Sequence, residues 1–367
     1  MIFFLALKYF DKNFINIVLI FLFTIFTFKV FDGTKSHKNV ISFEKEKKQK
    51  YQNTKVVIVF DEMSGLNSFE SSKYNGQEFN TYAKKFFKKH NFEYYSNVNT
   101  ANTDTISSLA ALLNFTVEPS IRNEVIEISN NYFTEYDLNE SLFFKNFKSI
   151  SIYQNIHINF CNFNNIVKCD SYNIFKEDSF ILGFKDNFLT TITSLWKVNG
   201  SIYSTLTWRS LRQLRIIDSI LEPVGHKATF HNLFKKIEKD IYSENFDLIF
   251  VHTLVPHVPY AFDEKCKFDG KRSLLNRYKS LKEKIRQHNL ERKCVLFYLD
   301  TFLENLRKNN RIDTIDITIL SDHGGRTLRG ESTSYFPVIY AIKNPSKKFK
   351  EISQKSISQK LFTDQFK

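Results

Sequence analysis

The sequence has few cysteines, and none of them lies in a short cysteine motif. Four occur in 367 residues, as two local pairs, Cys161 with Cys169 and Cys266 with Cys294. No CxxC motif is present, so the zinc and thiol-redox sites built on that motif are excluded. Two disulfides in an oxidising compartment fit the pairs, and buried free thiols are the alternative because spacing alone does not determine pairing.

A nucleic-acid recognition motif is also lacking, although the chain is strongly basic. Its formal net charge is +13, with 42% hydrophobic and 25% charged residues. This composition is that of a globular protein long enough for one large domain with appendages. The positive charge favours an anionic partner such as a phosphorylated lipid or an acidic glycan, and a solvated lysine surface is the alternative. Because no recognition motif accompanies the charge, we predict no nucleic-acid partner.

The N-terminal region contains an apolar run that is long enough to cross a membrane. Residues 13–31 have roughly the 17 to 20 apolar positions that a spanning helix needs, and they predict a transmembrane signal anchor after a cytoplasmic segment, residues 1–12. A cleaved signal peptide is the alternative, but no small-x-small cleavage site follows. Residues 32–53 predict a basic linker along the membrane surface.

The side of the membrane on which the main domain lies is indicated by two opposing signals. The lysines that follow the apolar run favour a cytoplasmic domain when they are counted by themselves. The cysteine pairs and the motifs described below favour the opposite side. We give these the greater weight and predict a single-pass protein of a bacterial inner membrane, with its main domain in the periplasm.

A second apolar run ends in two adjacent acidic residues. Residues 56–60 have the length of a buried parallel strand, and Asp61 and Glu62 follow it directly. Two neighbouring carboxylates repel each other unless a cation or a basic group lies between them. This pair therefore predicts a metal bound through oxygen, and solvated loop acids are the alternative.

A later apolar run ends in another pair of metal-binding residue types. Residues 316–321 predict a buried strand that presents Asp322 and His323 ahead of two glycines. In open α/β sheets, ligands bind beyond the carboxyl ends of the strands. We therefore expect this pair near Asp61, and a polar turn is the alternative.

A third run, residues 247–252, predicts a strand that ends at His252, a candidate substrate-binding residue. His257 follows between two prolines, in a segment that cannot continue a helix or a strand ladder. A histidine held in this way can donate to an oxyanion or protonate a leaving group. His157, at the end of an alternating run, is predicted to be structural.

Polar residues give way to an apolar helical pattern near residue 105. Thr103, Asp104 or Thr105 is predicted at the helix start. A hydroxyl at this place lies among unpaired backbone amides at the positive end of the helix dipole, which binds phosphate-like anions and stabilises an alkoxide. An ordinary threonine N-cap is the alternative.

The candidate groups have complementary chemistry. Carboxylates and an imidazole can bind a divalent cation, which lowers the pKa of a threonine hydroxyl and offsets charge on a phosphoryl or sulfuryl group in transfer. Four segments, VIVFDEMS, TISSLAALL, FVHTLVPHVPY and LSDHGG, resemble in this order the alkaline phosphatase superfamily. The resemblance is to its sulfatase-like branch, which includes phosphoethanolamine transferases and lipoteichoic acid synthases.

This resemblance implies a fold and a set of roles. The fold is α/β, with a parallel-dominated sheet sandwiched by helices and a small C-terminal subdomain. Residues 54–345 form the catalytic domain and residues 346–367 a polar tail. The nucleophile position falls on Thr105 and the substrate-contacting histidine on His257. The metal-ligand positions are Asp61, Glu62, Thr105, Asp322 and His323.

The sequence departs from the family pattern in three places. The CysxProSerArg motif of sulfatases is absent, since Thr105 stands where its cysteine would be, and this disfavours a formylglycine-dependent sulfatase. The late histidine of many transferases is also absent, and Arg326 lies in that region as a candidate for substrate binding. The extra histidines of two-zinc phosphatases are missing too, so we predict one divalent ion, zinc, manganese or calcium.

The predicted activity is transfer of a phosphoryl-linked group, of the phosphoethanolamine or phosphoglycerol type, to an envelope glycan or lipid. A phosphodiesterase, phosphatase or sulfatase-like hydrolase of envelope substrates is the alternative among enzymes. The alternative from another class is a non-catalytic envelope protein that keeps the fold and binds a glycan.

Overall fold

The structure analysed is a computed structural model. It describes residues 42–45, 50–51, 53–129, 134–155, 157–171, 230–258, 260–268, 280–325 and 336–367. These residues all belong to one compact unit, Ile41–Ile174 with Pro223–Lys367.

The predicted membrane anchor falls outside the described part of the chain. This holds for residues 1–12, for the anchor at 13–31 and for most of the linker at 32–53. Among the helices that the structure does describe, none combines the length and the apolar character needed to cross a bilayer.

The strands of the described residues are β1 (Ser42–Glu44), β2 (Thr54–Phe60), β3 (Glu93–Tyr95), β4 (Val98–Asn99), β5 (Ile126–Ile128), β6 (Tyr136–Leu138), β7 (Ile150–Gln154), β8 (Ile158–Asn159), β9 (Ile166–Ser171), β10 (Leu248–Thr253), β11 (Ile315–Ser321), β12 (Tyr340–Lys343), β13 (Lys350–Ile352) and β14 (Ser356–Ile357). Nine of them form a mixed sheet at the centre of the described unit, in the order β1-β9-β7-β10-β2-β11-β12-β3-β13. Strands β7, β10, β2 and β11 are mutually parallel, and β12 runs antiparallel to β11. The parallel-dominated sheet that the sequence predicts is therefore confirmed.

Helices cover both faces of this sheet. The α-helices are α1 (Phe69–Ser72), α2 (Gly76–Lys89), α3 (Thr105–Leu113), α4 (Arg122–Val125), α5 (Leu142–Lys145), α6 (Phe230–Ser243), α7 (Leu281–Lys308) and α8 (Ser358–Phe366), and a 3₁₀ turn spans Pro119–Ile121. Apolar side chains of α2, α6 and α7 form one core with the sheet, and those of α3, α4, α5 and α8 form the other. The predicted sandwich is thus present.

Strand β2 lies between the two cores and contributes side chains to each. Val56, Ile58 and Phe60 belong to one core, while Val57 and Val59 belong to the other. A strand that is covered on both faces needs apolar residues at every position, which is why its sequence is a continuous run and does not alternate.

A buried polar cluster fixes α6 to the sheet. The Asp240 carboxylate accepts hydrogen bonds from Ser151 Oγ at 2.6 Å and from the Tyr153 hydroxyl at 2.8 Å. Lys168 Nζ donates to its other oxygen at 2.5 Å. These bonds compensate the burial of the carboxylate. Within this cluster Ser151 is the second residue of β7, three residues before the strand's last residue, Gln154.

The C-terminal residues 346–367, predicted as a polar tail, join the main architecture. Strand β13 pairs in parallel with β3 at the edge of the large sheet, and β14 pairs with β4. Helix α8 joins one of the two cores through Phe362, whose ring centroid lies 4.8 Å from that of Phe143 on α5.

Both predicted cysteine pairs are disulfides. Cys161–Cys169 joins residues 8 apart in the sequence, whereas Cys266–Cys294 joins residues 28 apart and ties the segment after β10 to α7. In the loop-entropy description, a longer closed loop restricts the unfolded chain more and stabilises the fold more.

Removing the longer-range disulfide is expected to destabilise the protein more than removing the shorter one. For Cys266→Ala with Cys294→Ala we expect a loss of about 3.5 kcal/mol, and for Cys161→Ala with Cys169→Ala about 2.5 kcal/mol. Denaturant unfolding of the two double variants beside the wild type measures both losses. A larger loss for the Cys161–Cys169 variant would contradict the expectation.

Candidate metal centre

Three parallel strands bring their carboxyl ends to one edge of the sheet. In the register of β10, β2 and β11, Phe60 pairs with Thr253 on one side and with Ser321 on the other. Asp61 directly follows β2 and Asp322 directly follows β11, so both residues lie at the same level just beyond the sheet. This is the convergence that the sequence predicts.

Asp61, Asp322 and His323 form a group of buried metal-binding side chains. Their ligand atoms all lie within 4.8 Å of one another. His323 Nε2 is 3.4 Å from Asp61 Oδ1 and 3.7 Å from Asp322 Oδ2. Neither of these two carboxylate oxygens has a hydrogen-bond partner among the described residues. Buried carboxylate oxygens are costly without partners, and a divalent cation satisfies both at once, so the residues fit a metal.

The hydrogen bonds behind these side chains orient them toward a common point. His323 Nδ1 donates to Gly324 O at 2.8 Å, which leaves the lone pair of Nε2 directed at the carboxylates. Asp322 Oδ1 accepts from His323 N at 2.7 Å and from Glu62 N at 3.3 Å. Its other oxygen, Oδ2, is the one directed at the centre.

The charges at the centre also favour a cation. Burial raises the pKa of Asp61 well above its usual range, and the negative charges of Asp322 and Glu62 raise it further, while His323 lowers it. Three acidic side chains therefore share one buried region, where a positive ion stabilises their ionised forms.

Thr105 lies beside this group at the start of α3. The N-cap is Asp104, whose carboxylate accepts from Ser107 N at 2.9 Å. Because Asp104 caps the helix, the Thr105 hydroxyl is not used for capping, and it lies 3.3 Å from His323 Nε2. The predicted helix start is confirmed, and the alternative of an ordinary threonine N-cap does not apply to Thr105.

Glu62 has an unusual backbone conformation next to the ligands. Its φ of 62° lies in the left-handed region, which non-glycine residues adopt at an energetic cost and which is frequent at functional sites. This conformation points its N–H at Asp322, and its carboxylate lies 3.6 Å from His257 Nε2. Within the described residues, the ligand cluster contains Asp61, Asp322 and His323 and does not include the Glu62 carboxylate.

His252 is a buried neutral hydrogen-bond donor. Asn155 Oδ1 accepts from His157 N at 2.7 Å, so its NH₂ group faces His252 Nδ1 at 2.9 Å. Nδ1 therefore accepts a hydrogen bond, and Nε2 carries the proton. Burial lowers the pKa of His252 to about 4, which keeps the ring neutral at physiological pH. Its Nε2 has no hydrogen-bond partner among the residues described.

His157, which sequence reasoning treats as structural, lies close enough to the centre to affect it electrostatically. Its charge lowers the pKa of both Asp61 and His252. His157 Nδ1 contacts Glu135 Oε2 at 3.0 Å. It follows the carboxyl end of β7, which is parallel to β10, and this position at a strand end is the signal that could have identified it. Arg326, which is predicted together with His252 and His257 to bind substrate, lies outside the described residues.

A second group with metal-binding residue types is already neutralised by cations. His90, Asp300 and Glu304 place ligand atoms within 4.8 Å of one another. Lys89 Nζ lies 2.7 Å from Asp300 Oδ1 and 3.0 Å from Glu304 Oε1, and Arg307 donates to Glu304 at 2.6 Å. These ion pairs form a surface network that joins α2 to α7.

Comparison with protein-family models gives no match, and comparison with curated proteins gives none either. Solved structures do match. Ps i-CgsB in complex with k-i-k-neocarrahexaose aligns with a TM-score of 0.51 at 13% identity, covering 87% of this chain and 73% of that one. A protein in the alkaline phosphatase superfamily from Vibrio parahaemolyticus aligns with a TM-score of 0.48 at 12% identity, covering 89% and 71%.

The C-terminal periplasmic domain of the phosphoethanolamine transferase EptC from Campylobacter jejuni aligns with a TM-score of 0.44 at 11% identity, covering 82% of each chain. The likeness to Ps i-CgsB shows a shared fold.

Proposed function

We propose that this protein is a metal-dependent transferase that moves a phosphoryl-linked group, of the phosphoethanolamine or phosphoglycerol type, onto a cell-envelope glycan or lipid. One observation carries the proposal. The Thr105 hydroxyl, which α3 does not need for capping, lies 3.3 Å from His323 Nε2 and beside two buried carboxylates. A nucleophile next to a set of metal ligands is the arrangement that group transfer requires.

The residues proposed to hold the cation are Asp61, Asp322 and His323, with Thr105 and Glu62 as further candidates. A mixed set of carboxylate and imidazole ligands suits zinc or manganese better than calcium, which prefers oxygen alone. When bound, such a cation lowers the pKa of a hydroxyl and offsets the charge on phosphoryl oxygens.

Transfer is proposed to occur in two steps that exchange one bond to phosphorus each time. In the first, deprotonated Thr105 Oγ bonds to phosphorus while the bond to the donor's leaving oxygen breaks, and His257 gives that oxygen a proton. In the second, the acceptor hydroxyl returns a proton to His257 and bonds to phosphorus, which releases Thr105. The Glu62 carboxylate lies 3.6 Å from His257 Nε2.

Two further residues have proposed roles in binding the substrate. His252 carries its proton on Nε2 and can donate to a phosphoryl oxygen. Arg326 is proposed to contact the anionic group. The proposed substrates are anionic phospholipids or glycans of the envelope, and the net charge of +13 supports such partners.

The proposed location is the periplasmic side of a bacterial inner membrane, with residues 13–31 as the anchor. The two disulfides support an oxidising compartment for the described unit.

Incubating the full-length protein with fluorescent phosphatidylethanolamine or phosphatidylglycerol, with Zn²⁺ or Mn²⁺, tests this function. We expect fluorescent diacylglycerol to form, and mass spectrometry of the Thr105 peptide to find the added phosphoethanolamine or phosphoglycerol. If the free phosphorylated headgroup were released into water at the same rate with and without a glycan acceptor, the reaction would be hydrolysis and not transfer. Glycan binding without diacylglycerol formation from either lipid would support the non-catalytic alternative.

A further inference from the structure

Helix α7 carries a buried polar face directly behind the candidate centre. His288, Glu291 and Arg292 each have 0% of their surface exposed. Burying an imidazole, a carboxylate and a guanidinium on one helix costs free energy unless their hydrogen bonds are satisfied. The partners of this face are segments that carry residues of the proposed active site.

Arg292 holds the turn that follows Asp61. Its Nη1 donates to Ser64 O at 2.7 Å and to Gly65 O at 3.3 Å. The guanidinium also lies 3.9 Å from the centroid of the Phe79 ring. Burial lowers the pKa of Arg292 to about 10, so the group remains charged at neutral pH. A charged donor on two successive carbonyls fixes the backbone of this turn strongly.

Ser64 joins the two segments that carry the ligands. Its hydroxyl oxygen accepts from Gly325 N at 2.7 Å and lies 3.1 Å from His288 Nε2. Ser64 is three residues after Asp61, and Gly325 is two residues after His323. One hydroxyl, supported by α7, therefore links both ligand-bearing turns.

The contact at Gly325 leaves little room for adjustment. A Cβ added there would lie 2.8 Å from His288 Nε2 and 3.1 Å from Ser64 Oγ. The three groups are thus packed against one another, and a shift of His288 or Ser64 would move the segment that carries His323.

Glu291 extends the same support to the third segment of the site. Its carboxylate accepts from Phe262 N at 2.7 Å and also from Ala261 N. These amides lie four and five residues after His257. The disulfide between Cys266 and Cys294 joins the same segment to α7 one turn further along.

We propose that Ser64 and His288 are positioning residues that set the distance between Asp61 and His323, and thereby the affinity of the centre for a divalent cation. This inference rests on the metal centre of the proposed function. Partners that hydrogen-bond to metal ligands hold the ligand geometry, and their loss typically lowers metal affinity 10- to 100-fold. Ser64 and His288 are proposed to exert the same restraint through the backbone at Gly325, two residues after His323.

Two matched serine variants test the proposal through metal binding. Ser64→Ala and Ser151→Ala each remove one buried hydroxyl with hydrogen-bonded partners, and both serines are 0% exposed. Calorimetric titration of the full-length variants with Zn²⁺ alone and with Mn²⁺ alone gives the affinities, and thermal unfolding in chelator gives the stabilities. We expect Ser64→Ala to weaken cation binding about 10- to 100-fold and Ser151→Ala to leave it within about threefold, while both lower the unfolding midpoint.

A second pair of variants keeps the test decisive if Ser64→Ala fails to fold. The Nε2 of glutamine reaches about where the Nε2 of histidine lies, so His288→Gln is expected to retain cation affinity within about threefold, whereas His288→Leu loses about 10-fold or more. Wild-type affinity in Ser64→Ala or in His288→Leu would overturn the proposal, and so would an equal loss of affinity in Ser151→Ala. If the wild type binds neither cation, the proposed function fails as well; if it binds and Ser64→Ala binds equally, only this inference fails.

Discussion

Thr105→Ala is expected to reduce kcat/KM for group transfer by a factor on the order of 10⁴ or more, because no other described group can form the covalent intermediate from the same position. The hydroxyl lies 3.3 Å from His323 Nε2 at the start of α3, and the N-cap bond is made by Asp104. The substitution therefore removes the proposed nucleophile and leaves the helix cap intact. The fluorescent phospholipid assay measures the loss.

Two controls separate the loss of a nucleophile from damage to the helix. Thr105→Ser keeps a hydroxyl on the same carbon and is expected to retain activity within about tenfold. Thr103→Ala removes an exposed hydroxyl two residues earlier and is expected to behave like the wild type. If Thr105→Ala kept more than about a tenth of the activity, Thr105 would not be the nucleophile.

The positions of the candidate metal ligands were predictable because they depend on a strong local signal and a simple geometric rule. Continuous apolar runs before Asp61 and Asp322 indicate strands buried on both faces. The carboxyl ends of neighbouring parallel strands meet at one edge, so the residues that follow them come together. The start of α3 was predictable for a similar reason, since a polar segment changes there to an apolar helical pattern.

The supporting residues were not predictable from the same signals. Helix α7 begins at Leu281 and buries His288 and Arg292 in its N-terminal half. Polar residues on a helix normally face solvent, and only the neighbouring turn at Ser64 makes their burial favourable. The edge strand β13 was not predicted either, because its three residues have no apolar pattern and pair with β3 through backbone hydrogen bonds.

The proposed metal ligands are expected to contribute stability only when a cation is bound, and Asp322→Asn separates the metal-bound from the metal-free state. Asparagine Oδ1 can still accept from His323 N and Glu62 N, as the aspartate does. The oxygen directed at the centre is replaced by an amide nitrogen, which does not bind a divalent cation. We expect metal affinity to fall by more than about 100-fold, because a direct ligand is lost and not merely a partner behind one.

The sign of the stability change is expected to depend on the cation. At a concentration of Zn²⁺ or Mn²⁺ about 100 times the wild-type Kd, binding stabilises the wild type by about 2.7 kcal/mol, and Asp322→Asn loses nearly all of this gain. In chelator the variant is expected to be at least as stable as the wild type, because removing the charge of Asp322 removes a repulsion that raises the pKa of Asp61. Asp316→Asn, the same change on the same strand β11 away from the centre, should leave metal-induced stabilisation unchanged. If Asp322→Asn is stabilised by Zn²⁺ or Mn²⁺ as much as the wild type, Asp322 is not a ligand, and a cation at this centre is no longer supported.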